Sequence, residues 1–390
     1  MKRNTIIGAS IVVLLGAGLL ASAKTSDPIK IGNAYNLTGG MSSLDVPASN
    51  GAKLAAKEIN TAGGVLGRQL ELVEYDGKTD AATITNIASQ MIDSDKVVAI
   101  GGFTDSDSAL ALGPIAQKAK VPFVTAGATS PLLPTQIGDY MFLAPFGDNV
   151  QAAVGAEFTY KNLKAKTSYL LIDKGSEYTV LLGKFFKDAY TKGGGKILLE
   201  DTYKSGDKNF AAQITKLRAL KTKPAALFVS ALPDDIGTLV KQIRQAGITQ
   251  PIIGGDGYDT PLLVQVGGVA ANNVYFTTHA LMDAKNGDPS VKKFMIAYKN
   301  EFKKDPDNAF AALGYDTVYL IADAIRRAKS TEGAKIRDAL AATKGLKAVT
   351  GTITYTPGVR VPQKGVTVIG VKNKALFLAA EMTPSYVPKP

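Results

Sequence analysis

From residue 29 onward the chain repeats one unit, a short apolar run followed by a turn and an amphipathic stretch of helical period. Residues 29–33, 70–75, 97–101 and 122–125 read as strands, 70–75 with an alternating face and 97–101 buried, with helices at 50–60, 81–92 and 108–119 between them. Gly63 and Gly64 stop the first of these helices. Strands alternating with helices of this length require right-handed crossovers, which give a parallel sheet covered on both faces. A stretch rich in Gly, Pro, Thr and Ser covers 126–146, and the rhythm then restarts. Helices are expected at 149–162, 178–192, 209–220 and 235–246, and strands at 167–172, 197–203, 225–229, 252–254 and 274–277. Two doubly wound α/β lobes follow. In the last third, helices at 289–302, 308–328 and 333–342 precede short strands between 349 and 377. A late helix crossing back to the first lobe makes both lobes discontinuous and gives the hinge several strands. The expected limits are 24–147 with about 280–345 for the first lobe, and 148–279 with about 346–390 for the second.

The 390 residues include no Cys and one His, His279. That excludes a disulfide framework, a thiol nucleophile, thiolate zinc sites and a multi-histidine metal cage within one chain. The formal charge of +11 raises the question of a nucleic-acid partner. The basic residues answer against it, because they are scattered in pairs such as Lys292/Lys293 and Arg326/Arg327, with no run of five and no interleaved aromatics. Neither a phosphate loop, a nucleophile elbow nor a dinucleotide fingerprint follows any strand, and Asp105/Asp107 is a weak acidic pair. No catalytic residue, metal or cofactor is expected.

Lys2 and Arg3 precede an uncharged run from Ile6 to Ala23 that closes with Ala21-Ser22-Ala23. This is the order of an export signal, and residues 1–23 are expected to be removed; the glycines and the small-residue end favour cleavage over an uncleaved anchor. An exported chain without disulfides fits a bacterial cell envelope.

Ligands in open α/β sheets bind outside the carboxyl ends of the strands. Three such ends are rich in hydroxyl residues and glycine: 102–108, 126–131 and 254–258. Ser106 opens a helix, where free N–H groups favour a carboxylate, and Thr129 adds a hydroxyl. Asp256, from the other lobe, is suited to an ammonium group. Together they would clamp an α-amino acid zwitterion. From pattern alone, however, Ser106 and Thr129 are more often helix caps and Asp256 a turn residue. By the same standard, Tyr178 is more often a packed aromatic and His279 a structural residue.

These segments taken together resemble the leucine/isoleucine/valine-binding protein family, the type I periplasmic substrate-binding proteins of branched-chain amino acid ABC transporters. The markers are Asn50-Gly51-Ala52, the run from Glu58 to Arg68, Tyr75-Asp76, Gly127-Ala128-Thr129-Ser130-Pro131 and the run from Ala312 to Tyr319. The resemblance implies that Ser106 and Thr129 hold a ligand carboxylate, with Ala128 in the same loop. It also implies that Gly127 offers a carbonyl and Asp256 a carboxylate to the ammonium, and that Tyr178 is an aromatic lid. It implies a monomeric, periplasmic binder of an aliphatic amino acid that closes by a hinge and delivers to a membrane permease. Leu44 and Leu232 stand where the family has aromatic contacts, Thr79 and Asp105 near its cysteine pair, and Asp256 where a longer Glu is usual. An amide, urea or aromatic acid on the same scaffold is the alternative.

Overall fold

The computed structural model describes Met1, residues 27–283 and residues 288–390. The expected export signal therefore falls almost wholly outside the described residues. Strands β1 (Ile29–Tyr35), β2 (Leu70–Asp76), β3 (Ala99–Gly102), β4 (Phe123–Thr125) and β5 (Met141–Leu143) form one five-stranded sheet, in the order β2-β1-β3-β4-β5. Every neighbouring pair in it is parallel. Helices α1 (Ser42–Thr61), α2 (Ala81–Ser89), α3 (Ser106–Ala119) and the short α4 (Leu133–Ile137) make the connections. β5 and α4 lie in the stretch that the sequence presents as a break, because three apolar residues flanked by glycine and proline are too short a signal to stand out.

The second sheet repeats the winding. After α5 (Asp148–Glu157) come β6 (Thr167–Asp173), α6 (Glu177–Lys192), β7 (Lys196–Tyr203), α7 (Ala211–Ala219), β8 (Ala226–Ser230) and α8 (Pro233–Gln245). β9 (Ile252–Gly254), α9 (Leu262–Gly267) and β10 (Val274–Thr278) complete it. The parallel part runs β7-β6-β8-β9-β10, the same order as the first sheet. Two late strands, β13 (Val366–Lys372) and β14 (Ala375–Met382), add to it antiparallel. In both sheets the chain reverses direction of winding beside the first strand, where a crevice opens at the strands' carboxyl ends.

The late helices α10 (Pro289–Phe302), α11 (Phe310–Ala328) and α12 (Gly333–Ala341) return to the first sheet. Leu313, Val318, Leu320 and Ile321 of α11 share a core with Ile31, Leu44, Ala52 and Ile59. The contact between α1 and α11 is backbone on backbone: a Cβ on Gly51 would lie 1.8 Å from the Ala311 carbonyl oxygen, and one on Gly314 1.9 Å from that of Ala48. α1 also begins earlier than its apolar period indicates, and it contains Pro47. Proline has no N–H to give the Ser43 carbonyl, and Asn308 Nδ2 supplies that bond instead, at 3.0 Å.

The strands β11 (Leu346–Ala348) and β12 (Gly351–Ile353) form a hairpin. The second lobe was expected from about residue 346. Instead Ile353 and Tyr355 are buried in the first core, and the Tyr355 hydroxyl donates to the Leu143 carbonyl at 2.7 Å. The chain leaves the first sheet only after Arg360, whose carbonyl accepts from Leu143 N. It joins the second at β13 (Val366–Lys372), followed by β14 (Ala375–Met382).

Candidate functional site

The first-lobe half of the site is made by the loops after β3 and β4. Phe103 takes φ +46°, a left-handed conformation costing about 1–3 kcal/mol for such a side chain. Its N–H bonds the Ala34 carbonyl at 2.7 Å and its ring is fully buried, which holds the turn. The turn sets Asp105 as the N-cap of α3, accepting from Ser108 N at 2.8 Å. Burial lifts the Asp105 carboxyl to about 6. Ser106 is therefore the first helical residue and not a cap. It is fully buried, and its Oγ accepts from Ser130 N at 3.3 Å.

In the loop after β4, the Thr125 hydroxyl donates to the Phe103 carbonyl at 2.8 Å and accepts from Ala128 N at 2.9 Å. The Ala128 N–H is thus spent inside its own loop, and its methyl joins the core. Gly127 is required by space: a Cβ there would lie 2.7 Å from the Phe310 ring. Thr129, buried, precedes α4 by several residues and caps nothing.

The second-lobe half converges on one side chain that the sequence did not single out. Gln151, in the second turn of α5, is fully buried. Its Nε2 lies 2.9 Å from Asp148 Oδ1, 3.0 Å from Asp256 Oδ1 and 3.4 Å from Thr129 Oγ1. Its Oε1 accepts from Asp256 N at 3.0 Å and from the Thr277 hydroxyl at 2.8 Å. Asp148, also buried, gives its N–H to the Thr129 carbonyl at 2.7 Å. Asp256 sits in a buried turn after β9, 2% exposed, where an exposed glycine-rich turn was expected. Its Oδ2 is 3.0 Å from His279 Nε2, so His279 contacts the site's acid and is more than packing. Tyr178 is packed among Leu182, Phe185 and Phe228, and its hydroxyl accepts from Gly257 N at 3.1 Å, steadying the turn that carries Asp256.

Electrostatically this half is strained in one direction. Burial, and then the nearby Asp256 carboxylate, push Asp148 well above the ordinary carboxyl range. Burial pulls His279 below its usual value against the opposing pull of Asp256. Two acids and a neutral imidazole around one amide favour a cation. From the first lobe the Thr129 hydroxyl reaches the same amide and the Ser106 hydroxyl accepts from Ser130 N, so neutral hydroxyls of one lobe meet buried acids of the other.

The two halves touch directly. The Ser176 hydroxyl and Glu177 N–H, at the start of α6, donate to the Asp107 carboxylate at 2.5 and 3.2 Å. The Ser130 hydroxyl donates to Glu177 Oε1 at 2.9 Å, and the Thr260 hydroxyl to Ser43 Oγ at 3.0 Å. Leu232 packs against the cores of both lobes, while Leu44 belongs to the first alone. Thr79 accepts from Met41 N at 3.2 Å. Among the described residues no group of His, Cys, Asp and Glu could hold a metal ion, and no helix is long and apolar enough to cross a membrane.

A family model described as periplasmic binding protein matches residues 28–375. The chain belongs to that family. Among periplasmic binding proteins, the Leu/Ile/Val-binding protein homolog 3 of Brucella melitensis is 31% identical over 337 residues, covering 86% of this chain and 89% of that one. The structure of the leucine-binding protein LivK from Thermotoga maritima superposes with a TM-score of 0.84 at 35% identity, over 91% of this chain and 99% of that one. The branched-chain amino acid transporter substrate-binding protein LivJ from Streptococcus pneumoniae, in complex with isoleucine, gives 0.84 at 30% identity, over 93% and 100%. The resemblance and the two-lobed α/β fold expected from the sequence are borne out by these matches. Gln151 and Asp148 were missed. Their one signal is that Asp148, Asn149 and Gln151 crowd the start of a helix whose next turn is Ala and Val.

Proposed function

We propose that this chain is the solute-binding component of an ABC transporter, closing on a free branched-chain or other aliphatic α-amino acid. It carries the ligand unchanged to a membrane permease, as a monomer outside the cytoplasmic membrane. The observation that carries this reading is the buried Asp256, braced by Gln151 and His279, across the cleft from the hydroxyls of Ser106 and Thr129. A buried carboxylate needs a cationic partner, and a zwitterion supplies one end to each side. In this reading Ser106 and Thr129 hold the carboxylate, the Gly127 carbonyl and Asp256 hold the ammonium, and Ala128 shapes the loop without donating. Tyr178 positions the acid's turn. A urea, an amide or an aromatic acid gives Asp256 no positive charge to pair with. The names of the relatives support the ligand class.

The hinge consists of three crossing segments, at 143–148, 278–283 and 360–366. Motion about them is a domain closure biased by a ligand that touches both lobes only when they meet. Calorimetry with leucine, isoleucine and valine, beside urea and benzoate, tests the ligand class. Binding of the amino acids alone is expected, and binding of urea or benzoate alone overturns it. Small-angle scattering should show a smaller radius of gyration with ligand than without.

A further inference from the structure

His279 is the sole histidine of the chain, and clamping a zwitterion between hydroxyls and a carboxylate does not by itself call for one. It lies just past β10, on the second crossing segment. Its ring stacks on Phe146 of the first crossing segment, with centroids 4.1 Å apart and planes 25° apart, and meets Phe310 of α11 edge-on at 5.8 Å. Held on both faces, it directs Nε2 to Asp256 Oδ2 at 3.0 Å. An ionised carboxylate only accepts, so the ring proton is assigned to Nε2 and Nδ1 is left without a hydrogen bond. His279 also helps to wall a cavity of about 450 Å³ behind the cleft, with Asp288, Lys347, Thr350 and Glu381.

Four charged groups bear on the imidazole. Asp256 faces it directly, and Asp148 lies beyond the shared Gln151 amide. Lys364, on the third crossing segment, donates to the Thr350 hydroxyl at 2.9 Å, and that hydroxyl donates to Asp316 of α11 at 2.7 Å. Lys364 disfavours a second positive charge at His279, and Asp256 and Asp316 favour it.

We propose that His279 is the positioning residue for the ligand-binding carboxylate: as a neutral imidazole it aims Asp256 at the ligand's ammonium group, and on taking a proton it claims Asp256 for itself and weakens binding. The inference rests on the amino-acid reading above. The proton adds at Nδ1, so the ring becomes a cation beside the ligand's own. Linkage then requires ligand-bound protein to hold that proton less tightly than free protein, and affinity falls with pH. Ionisation of Asp148 works in the same direction, so a pH profile of the parent alone does not separate the two.

The test uses the full chain and isoleucine as probe, by calorimetry at pH 7.5 and 5.0, on the parent and on His279→Gln. The glutamine amide can still donate to Asp256 but does not titrate, and its melting temperature checks the fold. The parent is expected to lose at least about threefold in affinity between the two pH values, and His279→Gln less than half of that loss. A variant that keeps the parent's loss overturns the proposal and assigns the effect to Asp148. Independently, long-range ¹⁵N–¹H correlation of the single histidine in ligand-free protein at pH 7.5 should show a neutral ring protonated at Nε2. A ring protonated at Nδ1 alone, or an imidazolium, overturns the positioning role. That spectrum needs no ligand, so a parent that binds none of leucine, isoleucine and valine sinks the functional reading while the spectrum still judges the histidine.

Discussion

In the first lobe, the loops after β3 and β4 bring Ser106 and Thr129 into burial as neutral hydroxyls, Ser106 Oγ accepting from Ser130 N and Thr129 Oγ1 from Gln151 Nε2. In the second, an identical strand order brings Asp256 and Asp148 into burial around a single Gln151 amide. Burying a hydrogen-bonded hydroxyl costs little, whereas a buried carboxylate costs several kcal/mol unless it is paired. The first side closes at small penalty; the second buries a carboxylate whose partners, Gln151 and His279, bring no full positive charge of their own while the imidazole is neutral. Under the proposed function the hydroxyl side orients the ligand, and the acidic side makes closure depend on it. A binding protein that shut when empty would present a false cargo, and the asymmetry works against that state.

The largest effect should come from removing the charge. Asp256→Asn preserves shape but leaves the ammonium without its partner, at about 2 to 5 kcal/mol, or roughly 30- to several-thousand-fold in Kd by calorimetry. The same variant sharpens the comparison when empty. Without the buried charge, the ligand-free protein should close more readily, giving a smaller radius of gyration by scattering than the empty parent. Loss of less than threefold in affinity would mean that the acidic side does not hold the ammonium.

A smaller loss is expected from the hydroxyl side. Ser106→Ala or Thr129→Ala each removes a hydrogen bond to a charged carboxylate, about 1.5 to 3 kcal/mol, or about 10- to 150-fold. If either exceeds Asp256→Asn, the two sides have been assigned the wrong weights. The smallest effect belongs to the rim. Asp107→Ala removes the acceptor of Ser176 and Glu177 at an exposed position, and should weaken binding by about two- to tenfold through the closed state alone. Its melting temperature without ligand should stay near the parent's.

The alternation of strands and helices was legible because each unit carries its own apolar period and stop signals, such as Gly63-Gly64 after α1. The start of α1 was not, since Ser42, Ser43, Asp45 and Pro47 read as a loop until Asn308, far away in sequence, satisfies the Ser43 carbonyl. The same reason limits the site. Ser106, Gly127, Thr129 and Asp256 stand at strand ends where topology points to ligands. Gln151 stands in a helix, and only the tertiary meeting of α5 with the turn after β9 brings Asp256 to its amide. Local pattern also assigned Ser106 to capping, a role that Asp105, one residue earlier, fills.

The close seating of α11 on α1 also governs the order in which the chain can become a protein. Leu313, Val318, Leu320 and Ile321 belong to the core that the first sheet needs, so residues 27–147 leave a ribosome with one face of their sheet covered only in part, by α1. Residues 148–278 carry all five parallel strands of the second sheet in one stretch. The half synthesised first must wait for Tyr355 before its core is complete, and the half synthesised second for β13 and β14. Contacts of such long sequence separation are slow to form, and both halves of this molecule are completed only near the end of synthesis.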